Sequence, residues 1–405
     1  MILPRPQRAL LFAVAAALLA TAAAAQTPFA MSGLGQNVET FSARDTGRGG
    51  WGMADTDTLT PGTMNQAALA DLMYTGLIFS GHGETAKNQG PAEERRSYRT
   101  LLPNIRLALP LQKARLTLHA GFLVKRSLEW TSLSDITYPQ FGDTVSGLER
   151  YDRTGTIYQV PVGLAWRPIR GLALGGSFNL VRGSIEDEIE EIFTDPLENY
   201  YLANIRVQRD ELSGACFTGS VLLDALRFLQ VGASVTTAYD LDFRREISAA
   251  GVAERRQEEF TAGMPAEFRG GIMLRLPNHW RLGADGQLAR YSELSGRPDW
   301  EPILEDEWTL SAGIERTWVR TQFGRSYSLP VRLGFQWRQW AQTVGGAAVE
   351  ERTVSVGTGF PFRNRLGMID LSLSHSWIGD LEENGYRSRV WRLGLSITGL
   401  EPLVF

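Results

Sequence analysis

The string most suggestive of chemistry is Gly-Arg-Gly-Gly-Trp-Gly at residues 47–52, which matches the G-x-G-x-x-G pattern of dinucleotide sites. Such a site needs a strand before the glycines, a helix after them and an acidic residue about 20 positions further on. Here Asp45 and Thr46 precede the string in a polar stretch, and no helical periodicity follows it. The elements that would position a phosphate are missing, so no nucleotide cofactor is predicted.

Histidine chemistry is the second candidate. The histidines are scattered along the chain, at His82, His119, His279 and His375. They form no H-E-x-x-H pair and have no cysteine partner for a metal. His375 follows Ser374, but a catalytic base must itself be oriented by a third group, and no nucleophile motif surrounds the two. We therefore predict no metal site, no catalytic residues, no cofactor and no enzymatic activity.

Composition narrows the class of protein that could carry any other site. Lys and Arg total 41 against 45 Asp and Glu, a net charge of -4, so no nucleic-acid partner is expected. The single Cys216 excludes an intrachain disulfide. After the N-terminus, no run of about 20 apolar residues could form a membrane helix. A soluble β-rich protein and a transmembrane barrel, in which apolar and polar residues alternate, remain open.

The first 25 residues resemble an export signal. Arg5 and Arg8 precede an apolar run over 9–19, and alanines at 23–25 precede Gln26. We predict a secretory signal peptide over residues 1–25 that is cleaved at its end. An exported chain with almost no cysteine fits the envelope of a Gram-negative bacterium.

Period-two alternation is the main structural signal. Between 228 and 243, apolar residues from Leu229 to Phe243 occupy one face, and Asp240 and Asp242 share the other face with small and polar residues. Similar runs predict about fourteen strands, near 72–82, 97–110, 114–127, 155–166, 172–185, 211–224, 228–243, 260–275, 280–294, 306–317, 328–341, 351–361, 366–379 and 386–398. Most are long enough to cross a bilayer at a tilt of about 45°.

The connections alternate between short and long, which is typical of barrels with short periplasmic turns and long outer loops. The long ones are 128–154, 186–210, 244–259, 295–305 and 342–350. Tryptophans near strand ends suggest two aromatic girdles, with Trp166, Trp280 and Trp318 on the periplasmic side and Trp130, Trp308, Trp340, Trp377 and Trp391 on the outer side. These patterns predict an all-β fold, a single antiparallel transmembrane barrel over residues 72–405, in the cell outer membrane.

Residues 26–71 precede the first strand and show neither strand nor helix periodicity. They carry clustered glycines and an Asn-Gln-Ala-Ala-Leu stretch at 65–69, and a Met-Pro-Ala-Glu-Phe-Arg-Gly-Gly stretch follows at 264–271. In these features the chain resembles the FadL-like family of outer-membrane transporters for long-chain fatty acids and aromatic hydrocarbons. Members share a Gly-Gly-Ala-like stretch and an Asn-Pro-Ala before the first of fourteen strands.

The resemblance implies that residues 26–71 form a hatch inside the lumen, with Gly33, Gly35, Gly49, Gly50, Asn65 and Ala67 among its residues. It also implies a kink in the third strand that opens the wall sideways, for which Gly121 is the candidate. A glycine that fills a tight lumen position is the alternative. The terminal Phe405 resembles the signal that the barrel assembly machinery recognises.

In each predicted strand, alternate positions face the lumen. These positions place a set of charged side chains there: Arg106, Lys125, Arg167, Asp240, Asp242, Asp285, Arg332, Arg338 and Asp370. Facing lipid, an arginine would cost about 2–4 kcal/mol near the midplane. The arginines could bind the carboxylate of a ligand, or the charges could form an ion-pair network. Both signs occur in similar number, which favours the network. The acidic run 186–191, with Ile185, Ile189, Ile192 and Phe193 spaced like one helix face, predicts a short helix in an outer loop.

The resulting hypothesis is a hatch-closed outer-membrane channel for passive uptake of hydrophobic small molecules, either fatty-acid-like or aromatic. Two alternatives remain open: a FadL-like barrel with a structural or protein-tethering role, as in secretion shuttles, and a general porin. Expected partners are outer-membrane lipid, lipopolysaccharide and the hydrophobic ligand, and the protein is expected to be a monomer.

Overall fold

The computed structural model describes residues 27–31, 33–39, 41–57, 60–62, 64–91, 94–111, 115–140, 143–193, 204–250, 255–293, 304–322, 325–362 and 366–401. The predicted signal peptide and Phe405 lie outside the described residues. Within those ranges, no helix is long and apolar enough to cross a bilayer.

Fourteen antiparallel strands form one closed barrel in these ranges. In chain order they are β1 Thr75–Gln89, β2 Glu94–Leu111, β3 Leu116–Gln140, β4 Asp143–Ile169, β5 Leu172–Phe193, β6 Asn204–Leu226, β7 Leu229–Thr236 with Tyr239–Ala249, β8 Arg256–Met264 with Glu267–Leu276, β9 Trp280–Ala289, β10 Glu307–Gln322, β11 Arg325–Val344, β12 Ala347–Phe362, β13 Gly367–Ile378 and β14 Arg387–Glu401. Pairing of β14 with β1 closes the ring. The predicted fold and strand number are confirmed.

Side chains alternate across the wall as the sequence pattern predicts. On β11, Leu333 and Phe335 are exposed on the outer face, whereas Arg332 and Gln336 are buried in the lumen. Pairing between neighbouring strands satisfies most backbone groups of the wall in the described residues, and this leaves the outer face free to be apolar.

The alternation does not continue through β7, and this corrects two predicted lumen charges. The strand is interrupted at residues 237–238, and beyond the break Leu241 and Phe243 are buried while Asp240 and Asp242 are exposed. Their placement in the lumen was therefore wrong. The physical reason is one extra residue in β7: β6 advances four positions from Thr218 to Gly214 while β7 advances five, from Thr236 to Leu241, so every later side chain of β7 moves to the opposite face.

Several connections predicted as loops are strands instead. The expected loop 128–154 is largely the continuation of β3 and β4, which pair as far as Gln140↔Asp143. The acidic run 186–191 also belongs to β5 rather than to a helix, because β4 pairs with it on one side and β6 on the other. Ladder hydrogen bonds on both edges override the helical spacing of the isoleucines.

The predicted girdle tryptophans differ in exposure. Trp166, Trp318, Trp377 and Trp391 are exposed on the outer face, as a girdle requires. Trp340 is 4% exposed, packs against Phe29 with ring centroids 6.1 Å apart and donates to Glu351 at 3.1 Å. Its assignment to the outer girdle was wrong, because it shares the inward parity of Arg338.

Candidate functional site

The N-terminal segment, defined as the described residues of 27–71, contacts the inward face of the barrel. It contains a one-turn helix at Ala43–Thr46 and a 3-10 helix at Gln66–Asp71. Glycines of the wall make room for it. A Cβ added to Gly334 would lie 1.9 Å from the Gly49 nitrogen, and one added to Gly232 would lie 1.9 Å from the Met53 carbonyl oxygen. No larger residue fits where the two backbones touch.

The four glycines assigned by resemblance all have positive φ angles. The values are +60° at Gly33, +73° at Gly35, +83° at Gly49 and +80° at Gly50. At Gly49 the space is also closed, since a Cβ would lie 2.6 Å from the Phe335 nitrogen. Only glycine adopts this backbone at low cost so close to a wall strand.

Asn65 and Ala67 join the N-terminal segment to strand β6. The Asn65 side chain is buried, donates to the carbonyl oxygens of Met53 at 2.7 Å and Val221 at 3.1 Å, and accepts from the Ala67 N–H at 2.9 Å. The Ala67 N–H also lies 3.0 Å from the Ser220 hydroxyl oxygen. One amide thus links two parts of the segment to β6.

Four of the predicted lumen charges contact the N-terminal segment directly. The contacts are Arg106 Nη1 to Gly62 O at 2.6 Å, Arg167 Nη2 to Asp71 Oδ2 at 2.5 Å, Arg338 Nη2 to Glu39 Oε1 at 3.5 Å, and Asp285 Oδ2 with the N–H groups of Gly52 at 2.6 Å and Met53 at 2.9 Å. The carboxylate and the guanidinium groups of the wall therefore bind backbone and side-chain groups of the segment.

Arg332 and Asp370 belong to a buried ionic network, the arrangement that the similar numbers of both charges favour. Glu315 and Arg44, which the sequence patterns did not place in the lumen, also belong to it. Arg332 lies 2.8 Å from Glu315 and 2.7 Å from Asp370, and Glu315 also contacts Arg44 of the N-terminal segment at 3.4 Å. A signal was present, because Arg44 and Arg48 stand with three aspartates in a stretch that is rich in glycine.

Asp55 lies at the centre of the segment's part of this network. Its carboxylate is 2.5 Å from Arg48 and 3.1 Å from Arg44, and Arg48 is also 2.6 Å from Asp45. Burial would raise the pKa of the Asp55 carboxyl, but Arg48 and Arg44 outweigh that effect and lower the pKa to about 2. The network keeps the carboxylate ionised and ties the segment to the wall.

The wall between β2 and β3 is paired along only part of its length. Pairing runs from Asn104↔Leu123 to Leu111↔Leu116, and in the described part of the chain it goes no further, although β3 continues to Gln140. Beyond the last pair with β2, two residues of the N-terminal segment pair with the edge of β3. Gln36 and Asn37 pair with 127 and 126, and the Val38 N–H donates to the carbonyl oxygen of residue 125 at 2.8 Å.

Gly121 lies two residues before Leu123, where the pairing of β3 with β2 ends. A Cβ there would approach the Ile105 carbonyl oxygen to 2.9 Å, so the position is tight. The register of β3 with β4 shifts between Val124 and Arg126, a few residues beyond Gly121. A bulge at that point makes local bending of the strand possible.

A small, partly open cavity of about 30 Å³ lies beside this stretch of wall. Its lining combines apolar and polar side chains: Leu34, Ile157, Val181, Leu241 and Met264, and also Asn37, Lys125, Arg126, Gln159, Tyr239, Glu267 and Tyr291. Lys125 lies 3.6 Å from Glu267, and Arg126 donates to the Tyr291 hydroxyl at 2.6 Å. The cavity is therefore amphipathic, and both of its cations have partners.

A second, smaller cavity of about 10 Å³ lies further along the N-terminal segment. Its lining includes Glu39, Phe41, Pro103 and Arg392. Pro103 directly precedes the residue at which pairing of β2 with β3 begins. Among the described residues, no group of three or more His, Cys, Asp and Glu side chains is arranged to hold a metal ion.

The described residues form a closed fourteen-strand antiparallel barrel, and this fold is shared with solved structures. Three solved structures are similar over most of their length: a FadL homologue of Pseudomonas aeruginosa, the toluene transporter TbuX of Ralstonia pickettii and the toluene transporter TodX of Pseudomonas putida. Sequence identities are 13%, 15% and 14%, and TM-scores are 0.63, 0.61 and 0.57. The matches cover 90%, 90% and 91% of this chain and 99% of each of the others.

At these identities the comparison establishes the fold, and it confirms the FadL-like resemblance at that level. A model of the BamG family matches residues 7–397, so the chain belongs to the BamG family. No curated protein sequence matches it.

Proposed function

We propose that this protein is a hatch-closed channel of the outer membrane for passive uptake of hydrophobic small molecules, fatty-acid-like or aromatic. In this proposal residues 1–25 direct export and are removed, residues 26–71 are the hatch, and residues 72–405 are the barrel. The observation that carries it is the unpaired stretch of wall between β2 and β3, with a small cavity of apolar and polar side chains beside it. The similar structures described as toluene transporters support the choice of ligand class.

An apolar ligand has a physical reason to leave sideways. Its transfer from the cavity into the bilayer keeps it out of water, whereas release into the periplasm would expose apolar surface at roughly 25 cal/mol per Å². The obstacle on the lateral route is the stretch 36–38, which is held at the edge of β3 by two residue pairs and the Val38 hydrogen bond. Net backbone hydrogen bonds contribute about 0.5–1.5 kcal/mol each, so this stretch can leave the edge without unfolding the barrel.

The test is to lock that stretch in place. Gln36 and Ser127 are register partners, and paired antiparallel residues lie within the distance range of a disulfide. The double substitution Gln36→Cys with Ser127→Cys, in a Cys216→Ser background, should form a disulfide in the folded protein. Influx of N-phenyl-1-naphthylamine into proteoliposomes should fall to the level of empty liposomes and should recover after reduction.

The matched control places a disulfide elsewhere in the wall. Thr343→Cys with Ala348→Cys joins two register partners on β11 and β12, far in sequence from the β2 and β3 edges, and should leave influx unchanged. If the locked protein admits the probe as fast as the reduced one, the lateral route is wrong. If neither protein admits it above empty liposomes, uptake itself is wrong and the structural or protein-tethering role gains.

A further inference from the structure

One arginine on the outer face of the barrel has an unusual setting. Arg316 lies on β10, and its guanidinium carbon is 4.9 Å from the ring centroid of Trp280 and 4.7 Å from that of Trp318. Trp280 is the register partner of Arg316 on β9, and Trp318 lies two residues along the same face. Both distances are within the range of cation–π contacts, so two rings hold the guanidinium at the surface.

The charge of Arg316 has no compensating carboxylate in the described part of the chain. Neighbouring Glu315 points into the lumen, where it is 2% exposed and lies 2.8 Å from Arg332. Arg352 provides the contrast on the same outer surface. Its guanidinium carbon lies 5.6 Å from the Trp337 ring centroid, but it is ion-paired with Glu350 at 3.0 Å. Arg316 is thus fixed by aromatic rings and left with N–H donors for a group outside the protein.

The position along the strand indicates what that group is. Trp280 is the first residue of β9 and directly follows the short turn at Pro277–His279. Short turns of such barrels lie on the periplasmic side, where the leaflet is phospholipid, and tryptophans there sit at the level of the headgroups. The planar guanidinium fork matches the geometry of two phosphate oxygens.

We propose that Arg316, held by Trp280 and Trp318, is a binding site for the phosphate of an anionic phospholipid in the periplasmic leaflet. An anionic headgroup, such as phosphatidylglycerol, brings a full negative charge with no ammonium group to offset it, and it therefore complements the unpaired cation. The site is on the outside of the wall and does not depend on what the lumen transports.

The experiment is native mass spectrometry of the full-length protein released from micelles that contain equimolar phosphatidylglycerol and phosphatidylcholine. The wild-type protein should retain phosphatidylglycerol preferentially. Arg316→Gln should reduce that retention about five-fold, which is the effect of one interfacial cation. Arg316→Lys should also lose most of it, because an ammonium lacks the planar fork and stacks less well on the rings.

Arg352→Gln is the matched control, because it removes an outer-face arginine of similar aromatic setting whose charge is already paired. It should retain lipid like the wild type. Heat-shifted migration on a gel shows which variants are folded barrels before they are compared. Equal retention by Arg316→Gln and wild type, an equal loss in Arg352→Gln, or no preference for the anionic lipid would overturn the site. Displacement of the lipid by millimolar inorganic phosphate would assign the site to free phosphate and would overturn the headgroup assignment.

Discussion

Replacing Asp55 by Asn tests whether the buried ionic network holds the N-terminal segment in the lumen. The substitution keeps the shape of the side chain and removes its charge. Of its two carboxylate partners among the described residues, Arg48 would keep Asp45 at 2.6 Å, and Arg44 would lose its contact with Asp55 at 3.1 Å. Both arginines are almost fully buried, so water cannot replace the lost carboxylate.

The structure sets the size of the effect. The pKa of the Asp55 carboxyl falls from an ordinary 3.8 to about 2, because Arg48 and Arg44 outweigh the effect of burial. At about 1.4 kcal/mol per pH unit, the carboxylate stabilises the docked segment by about 2 kcal/mol. Because this pKa is depressed on docking, the stabilisation is complete above about pH 4 and is lost as the pH falls towards 2. Asp55→Asn should therefore raise the undocked population about 30-fold at pH 7.

Amide hydrogen exchange, followed by mass spectrometry, measures that population. Peptides from residues 41–57 should exchange about 30-fold faster in Asp55→Asn than in the wild type, whereas peptides from β11 to β13 should be unchanged. Glu259→Gln is the control, since it breaks an exposed ion pair with Arg244 that contributes little. Wild-type exchange rates over 41–57 in Asp55→Asn would refute the role of the network, and faster exchange throughout the barrel would show that the pair stabilises the wall instead.

Two further predictions concern the wall and the lumen. Val235→Arg places a charge on an exposed, lipid-facing position of β7 and should cost on the order of 2 kcal/mol of folding free energy in liposomes. Thr236→Arg should be far milder, because the Thr236 hydroxyl faces Thr218 in the lumen. Equal costs would mean that the faces are misassigned. Deletion of residues 27–64 should leave a barrel that still closes, because its hydrogen bonds run between strands, and single-channel conductance in planar bilayers should rise from near closed to open. A truncated barrel that conducts no more than the full chain would show that the segment is not a plug.

The alternation of apolar and polar residues was enough to predict a barrel of about fourteen strands. This pattern can be read from a few neighbouring residues, because successive side chains of any strand point to opposite faces. For the same reason it places Arg332 inward and Leu333 outward before any neighbour is known. The glycines at 49 and 50 could also be recognised from the sequence, because a backbone with positive φ that touches a wall strand tolerates few residues other than glycine.

Local pattern failed wherever a distant part of the chain decided the outcome. The exchange of faces at residues 237–238 could not be seen, because a two-residue break leaves the apolar residues on either side equally regular in sequence. The acidic run 186–191 has helical spacing, but ladders with β4 and β6 make it a strand.

The candidate site depended most on tertiary structure. Nothing in the sequence pairs Gln36 with Ser127, or Glu315 with both Arg44 and Arg332, since these partners are separated by long stretches of chain. Parity determines the face on which a charge lies, and it does so from the sequence alone. The choice of partner is made by the closure of the barrel, which brings remote strands around the same N-terminal segment at distances where buried opposite charges attract strongly.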